Sequence, residues 1–192
     1  MAAPYVIVVG AGDGGLPVMR RVLQGLRDDF DGAIVFLLHS GVDEADPLPQ
    51  LAQGTGRTFV STAADGEKVS SGRVHVVPRG CHARINALGV LEITAPKRLR
   101  TTRPAVNQLF ESAAAVFGKR CAGLILSGKG DDGTEGARAI GAAGGILLVQ
   151  SVADSEHPEM PGSALIGDHP DKCLLIHEIA PALLGVASRM PR

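Results

Sequence analysis

A histidine and two aspartates follow apolar runs of this sequence, and together they could move protons. His39 ends the run AIVFLLH, and Asp131 and Asp132 lie in SGKGDDG (127–133), directly after a second apolar run. An imidazole beside a carboxylate is a common general base, because the carboxylate fixes the tautomer while the imidazole takes a proton from a hydroxyl. Acyl transfer is therefore the first chemistry to consider.

Each of these residues also has an ordinary structural explanation. Spacing alone favours His39 as a core histidine that ends a strand. Asp131 and Asp132 could form a turn and cap a helix that starts at Thr134. The two carboxylates could also bind a divalent metal ion, but no further Asp, Glu or His cluster has metal-site spacing, so we expect no metal.

A glycine-rich stretch, GAGDGG (10–15), follows a third apolar run. It satisfies the pattern G-x-G-x-x-G that binds dinucleotides between a strand and a helix. The acidic residue that should end the next strand is missing, since His39 lies there. A close strand-to-helix turn explains the glycines equally well, so we expect no cofactor and keep dinucleotide binding as a remote alternative.

Five continuous apolar runs have the pattern of strands that are covered on both faces. These runs are YVIVV (5–9), AIVFLLH (33–39), AGLILS (122–127), GILLVQ (145–150) and KCLLI (172–176). The helix-like stretches between and after them are 16–29, 103–118, 134–144 and 177–190. This alternation predicts an α/β fold with a doubly wound, mostly parallel sheet and helices on both faces. Ligands bind such sheets at the carboxyl ends of the strands, where the polar residues above would meet.

Three shorter segments interrupt this rhythm: RTFVS (57–61), GRVHVVP (72–78) and VLEIT (90–94). Their alternation of apolar and polar residues predicts a short antiparallel hairpin near one edge of the sheet. The basic stretch PKRLRTTRP (96–104) reads as an exposed, solvated loop, although its charge could help to attract an acidic partner.

Composition limits the possible functions. A chain of 192 residues with 45% apolar content suits one domain with a sizeable core. A formal charge of -1 and 3% aromatic residues argue against nucleic-acid binding. The amino-terminal stretch MAAPYVIVV has neither a signal-peptide pattern nor the length of a membrane anchor, so we expect no membrane insertion. Three widely separated cysteines favour buried free thiols and a cytoplasmic location.

The order of six motifs resembles the catalytic domain of the CheB family of chemotaxis receptor methylesterases over nearly the whole chain. The motifs are GAGDGG (10–15), VFLLHS (35–40), GRVHVVP (72–78), RPAVNQLFESAA (103–114), SGKGDDG (127–133) and MPGSA (160–164). Members of that family hydrolyse glutamyl methyl esters on chemoreceptors with a Ser, His, Asp triad. The resemblance implies that His39 is the general base and that Asp132 orients it.

The resemblance does not supply a nucleophile. Gly12 and Asp13 lie where the family has Ser and Thr, and Lys129 replaces a methionine. A glycine has no side chain that could form an acyl-enzyme, so we expect an inactive or strongly impaired methylesterase-like protein. Ser127 or a water molecule could replace the nucleophile, but a serine that bonds to the turn is the more common case.

The remaining residues of the predicted pocket are Asp13, Gly14, Lys129, Asp131 and Met160. Because two opposite charges tolerate partial burial better than one, we predict that Lys129 pairs with Asp13 or Asp132. A non-catalytic receptor-binding or regulatory protein on the esterase scaffold is the alternative function.

The resemblance also implies the partner and the domain organisation. The expected partner is the cytoplasmic region of a methyl-accepting chemoreceptor. Residues 1–192 would form a single methylesterase-like domain without a receiver domain. Any control by phosphorylation would then require a separate response-regulator chain.

Overall fold

The structure, a computed structural model, describes residues 5–26, 30–39, 46–53, 59–95, 105–168 and 170–188; the basic stretch 96–104 lies outside these ranges. The strands are β1 (Val6–Ala11), β2 (Ala33–Leu38), β3 (Phe59–Thr62), β4 (Arg73–Val76), β5 (His82–Ile85), β6 (Leu91–Thr94), β7 (Cys121–Ile125), β8 (Ile146–Gln150) and β9 (Lys172–Leu174). The α-helices are α1 (Gly15–Gly25), α2 (Leu48–Ala52), α3 (Ala105–Phe117), α4 (Thr134–Ala142), α5 (Glu159–Asp168) and α6 (Ile176–Ala187). A short 3₁₀ helix, Gly118–Arg120, connects α3 to β7.

Seven strands form one sheet in the order β3-β4-β2-β1-β7-β8-β9, and all neighbouring strands in it are parallel. Strands β5 and β6 form a separate antiparallel pair. The α/β class, the parallel sheet and the short antiparallel hairpin that the sequence predicts are therefore confirmed.

Helices cover both faces of the main sheet. Helices α3, α4 and α5 share one buried apolar cluster with the sheet, and α1, α2 and α6 share another. Successive residues of β1 point into opposite clusters: Val6 and Val8 into the first, Ile7 and Val9 into the second. This double burial is the reason why the central strands read as continuous apolar runs instead of alternating ones.

The alternating segments fall into two groups, and an antiparallel assignment is correct for only one of them. Strands β3 and β4 belong to the edge of the main sheet and are parallel, with His75 of β4 opposite Val35 of β2. Strand β6 pairs with β5, and this hairpin packs on α3. Partly covered edge strands can alternate in the same way as the strands of a hairpin, so the pattern could not separate the two cases.

The cysteines differ from one another in exposure. Cys121 is buried, Cys81 is half-buried and Cys173 is exposed, and all three are free thiols. The prediction of buried thiols is therefore right for Cys121 alone. Cys173 is exposed because it lies on the edge strand β9. Burial raises the pKa of the Cys121 thiol to about 12. None of the helices in the described ranges has the length and apolar character that crossing a membrane requires.

Candidate functional site

The candidate site lies where the three central strands of the sheet end. β1 lies between β2 and β7, so the residues that follow these strands become neighbours. The backbone N–H of His39 donates to the carbonyl of Ala11 at 2.7 Å, which continues the pairing of β2 with β1. On the other side, the N–H of Gly12 donates to the carbonyl of Ser127 at 2.9 Å. The parallel sheet thus brings the three predicted segments together at the carboxyl ends of its central strands.

His39 and Asp132 form a close side-chain pair. The Nδ1 atom of His39 lies 2.8 Å from Oδ2 of Asp132, and the two residues are 93 positions apart in sequence. The imidazole is 43% exposed, whereas the carboxylate is only 8% exposed. An ionised carboxylate can only accept hydrogen bonds, so Nδ1 carries the hydrogen and Nε2 is the basic nitrogen. The predicted base and its orienting acid therefore have the geometry that proton transfer requires.

The start of α3 fixes the carboxylate of Asp132. The N–H of Val106 donates to Oδ2 and the N–H of Asn107 donates to Oδ1, each at 3.1 Å. These two groups lie in the first turn of α3, where helical N–H groups have no partner within the helix. Asp132 therefore meets His39 in a fixed orientation.

The hydrogen bond to Asp132 also controls the protonation of His39. It raises the pKa of the imidazole above its ordinary value, and the negative charges of Asp132 and Asp13 act in the same direction. Partial burial opposes this effect. His39 is consequently a stronger base than a free histidine, and it is neutral only above the raised pKa.

The segment around Gly12 leaves very little space for a side chain. A Cβ atom added at Gly12 would lie 2.9 Å from Cα of Gly128 and 3.5 Å from Sδ of Met160. Gly14 has a φ of 78°, which favours glycine, and it precedes the first turn of α1. The N–H of Gly15 donates back to the carbonyl of Gly12 at 3.0 Å and closes the turn. Two backbones therefore meet at the position that the resemblance assigns to the nucleophile.

Lys129 and Asp13 form the charged pair that the sequence predicts. Nζ of Lys129 lies 2.7 Å from Oδ2 of Asp13, which confirms the pairing and selects Asp13 over Asp132. The two side chains are 63% and 41% exposed, so the expectation of partial burial is wrong for Lys129. The hydrogen bond from Lys129 lowers the pKa of Asp13 and keeps that carboxylate ionised beside Gly12.

Ser127 has a structural role. It is fully buried, and its hydroxyl donates to the carbonyl of Asp13 at 2.8 Å while accepting from the N–H of His157 at 2.9 Å. Because its single hydrogen is bonded to a carbonyl, the hydroxyl is poorly placed to attack a substrate. The structural explanation of Ser127 is thus favoured over its use as a nucleophile.

The remaining predicted pocket residues differ in their placement. Met160 is buried, and its N–H donates to the carbonyl of Gly128 at 2.9 Å, which holds α5 against the site. Asp131 is exposed, and its backbone carbonyl accepts the N–H of Thr134 at 3.2 Å. Asp131 therefore belongs to the turn before α4, as its structural explanation expected. Among the described residues, no three His, Cys, Asp or Glu side chains are grouped as a metal ion would require.

Sequence reasoning missed two buried amides that support the site. Oε1 of Gln150 accepts the N–H of Ser127 at 2.9 Å, and Oδ1 of Asn107 accepts the N–H groups of Gly133 and Gly136 at 3.0 and 2.8 Å. Gln150 is fully buried, and Asn107 is 7% exposed. A polar side chain at the end of a buried strand, or on a buried helix face, is the signal that could have identified them.

Comparisons with known proteins agree with this geometry. A sequence model described as CheB methylesterase matches residues 7–183. The chain is 33% identical over 189 residues to protein-glutamate methylesterase/protein-glutamine glutaminase 1 of Myxococcus xanthus, which covers 97% of this chain and 55% of that protein. It is 36% identical over 178 residues to protein-glutamate methylesterase/protein-glutamine glutaminase 2 of Anaeromyxobacter dehalogenans, with coverages of 93% and 52%. The chain thus spans about half the length of these curated relatives.

A solved structure has the same fold. The CheB methylesterase catalytic domain of Thermotoga maritima superposes with a TM-score of 0.86 at 25% sequence identity. The superposition covers 96% of this chain and 100% of that domain. With the sequence match over residues 7–183, this likeness shows that the chain belongs to the CheB methylesterase family.

Proposed function

We propose that this protein acts in a chemosensory system as a methylesterase-like protein whose site has kept its base and lost its nucleophile. The observation that carries the proposal is the intact pair of His39 and Asp132 next to a glycine: Nδ1 and Oδ2 are 2.8 Å apart, and Gly12 offers no hydroxyl. Such a site has a general base but cannot form a seryl acyl-enzyme at Gly12.

The neighbouring side chains do not replace the missing hydroxyl. The hydroxyl of Ser127 is bonded within the turn. The carboxylate of Asp13 is paired with Lys129, and attack by it would form an anhydride at a position where its charge opposes a developing oxyanion. Among the residues that the structure describes, the remaining route is water deprotonated by Nε2 of His39, which is slow. Enzymes that lose a triad member retain roughly 10³-fold catalysis over water.

The partner follows from the relatives. The curated relatives are named for action on protein glutamate methyl esters and on protein glutamine. We propose that this protein binds the same kind of side chain on the cytoplasmic region of a methyl-accepting chemoreceptor. On this proposal residues 1–192 contribute one methylesterase-like domain that works in the cytoplasm.

A non-catalytic receptor-binding or regulatory protein is the second candidate function. The ion pair of Lys129 and Asp13 favours it, because both charged residues adjoin Gly12: Asp13 follows it in the chain, and the backbone N of Lys129 lies 3.5 Å from a Cβ added there. Binding of a dinucleotide is a remote third candidate, since His39 is paired with Asp132 at the strand end where a ribose-binding acid would be needed. A fluorescence titration with a nicotinamide dinucleotide tests that third candidate directly.

Methanol release from a methylated receptor fragment tests the first proposal. We expect wild-type turnover to be at least about 10⁴-fold below that of a family member that has the serine. Calorimetric titration with the same fragment should nevertheless show binding. Turnover close to that of the serine enzyme would refute the claim of impaired chemistry, and an absence of both binding and turnover would refute the proposed partner.

Restoring the hydroxyl separates an impaired esterase from a binding protein. Gly12→Ser and its matched control Gly12→Ala add the same Cβ atom, which lies 2.9 Å from Cα of Gly128 and requires a small backbone shift. Both variants should therefore lose similar stability, about 1–3 kcal/mol. For an impaired esterase, Gly12→Ser alone gains methanol release. If the serine variant folds and releases no more methanol than the alanine variant, the binding protein is the better description.

A further inference from the structure

Helices α3 and α4 cap each other through two side chains. Asp132, in the turn before α4, accepts the N–H groups of Val106 and Asn107 at the start of α3. Asn107, on α3, accepts the N–H groups of Gly133 and Gly136 at the start of α4, at 3.0 and 2.8 Å. Each helix thus supplies the acceptor that the amino-terminal end of the other requires.

This exchange replaces local caps. Gly133 is the residue that precedes α4, has a φ of 108° and has no side chain with which to cap the helix. Asp132 and Asn107 are both 7% exposed, so water has little access to the N–H groups that they accept. Leaving one buried N–H group without an acceptor costs about 1–3 kcal/mol, so the amide oxygen of Asn107, which accepts two, restrains this turn.

We propose that Asn107 is a positioning residue of the candidate site, which fixes the turn of Asp132 and thereby the hydrogen bond between Asp132 and His39. It touches neither His39 nor the position at Gly12 directly. It acts by accepting two N–H groups, one on the residue next to Asp132 and one within the first turn of α4. The amide of Asn107 carries no charge that could act on His39 directly. Asn107 therefore affects the proton affinity of His39 only by holding Asp132 in one orientation. The inference rests on the proposed function and deepens it. Because it concerns the side-chain pair of His39 and Asp132, it can be tested without a receptor or an ester.

The pKa of His39, measured by NMR from its imidazole Cε1–H signal, tests this role. In Asn107→Ala the turn loses two hydrogen bonds, while the backbone N–H groups of residues 106 and 107 still reach Asp132. Asp132 is then held less firmly, and the pKa of His39 should fall towards its ordinary value. Gln108→Ala, which alters the half-buried neighbour on the same helix, should leave the pKa unchanged. A folded Asn107→Ala protein with the wild-type pKa would overturn the proposal.

A second variant and a measurement on the wild-type protein complete the test. Asn107→Asp keeps an acceptor for both N–H groups, so the pKa of His39 should equal or exceed that of the wild type; a fall to the alanine value would contradict the proposal. If the alanine variant does not fold, hydrogen exchange of the wild-type protein still decides. The amide hydrogens of Gly133 and Gly136 should exchange as slowly as those of Val106 and Asn107. Unprotected exchange at Gly133 would show that Asn107 does not restrain the turn.

Discussion

The Nζ atom of Lys129 lies 2.7 Å from Oδ2 of Asp13, the residue that follows Gly12 in the chain. Because the hydrogen bond from Lys129 lowers the pKa of Asp13, Lys129→Met should raise that pKa towards its ordinary value. A carboxyl-carbon NMR titration measures this change. Lys119→Met, on an exposed lysine elsewhere, is the control and should leave Asp13 unchanged.

The same pair has a defined dependence of stability on pH. A lowered carboxyl pKa gives stabilisation that is present above the unfolded-state pKa and is lost as the pH falls through the folded-state value. The Lys129 side chain is 63% exposed and that of Asp13 is 41% exposed, so solvent screens the pair, and the loss should be small and confined to acidic solution. A large difference in the unfolding midpoint between wild type and Lys129→Met at neutral pH would contradict an exposed pair.

Asp132→Asn should lower the pKa of His39 towards 6.5, because its hydrogen bond with Asp132 is the main cause of the raised value. NMR titration of the His39 imidazole measures the shift. Asp171→Asn is the control, since Asp171 accepts the N–H of Leu147 away from the site. An unchanged pKa in Asp132→Asn would mean that the side-chain pair does not persist in solution.

The raised pKa of His39 also determines the pH range in which its pairing with Asp132 stabilises the fold. Stabilisation is full below the unfolded-state pKa of histidine and is lost as the pH rises through the raised folded-state pKa. The difference in the free energy of unfolding between wild type and His39→Gln should therefore shrink across that window. Urea titrations on both sides of it provide the measurement, and a difference that grows with pH would reverse the assignment.

Ser127→Ala should destabilise the protein by about 1–3 kcal/mol, because the N–H of His157 and the carbonyl of Asp13 lose a buried partner. Urea unfolding measures the change. Ser188→Ala, at the exposed end of α6, should shift stability by less than about 0.5 kcal/mol. Unchanged stability of Ser127→Ala together with loss of residual ester hydrolysis would instead identify Ser127 as a nucleophile.

The sequence predicts the central part of this fold best. β1, β2 and β7 are buried on both faces, and their uninterrupted apolar runs leave few alternatives. Helix α5 was missed because its sequence, EMPGSALIGD, contains a proline and two glycines and has little amphipathic pattern. Met160 and Ala164 are buried against the sheet, so tertiary packing overrides the poor helix propensity of the segment.

In the candidate site, too, the sequence predicts some residues and not others. The resemblance to a known family predicts that His39 and Asp132 belong to one site, and the charges of Lys129 and Asp13 suggest their pairing. Asn107 was not predicted, because an amide that accepts backbone N–H groups 26 and 29 positions away has no periodic signature. Gln150, which accepts the N–H of Ser127 from 23 positions away, escapes prediction for the same reason.

Because His39 and Asp132 are far apart in sequence, the hydrogen bond between them reports whether the central sheet has formed. The two residues are 93 positions apart and meet only when β2, β1 and β7 lie side by side. Long-range parallel pairing of this kind is slow to form, since distant parts of the chain must first be brought together. The imidazole signal of His39 should therefore reach its native position only after the central sheet has assembled. The side chain of His39 can thus report the assembly of the central sheet without any added label.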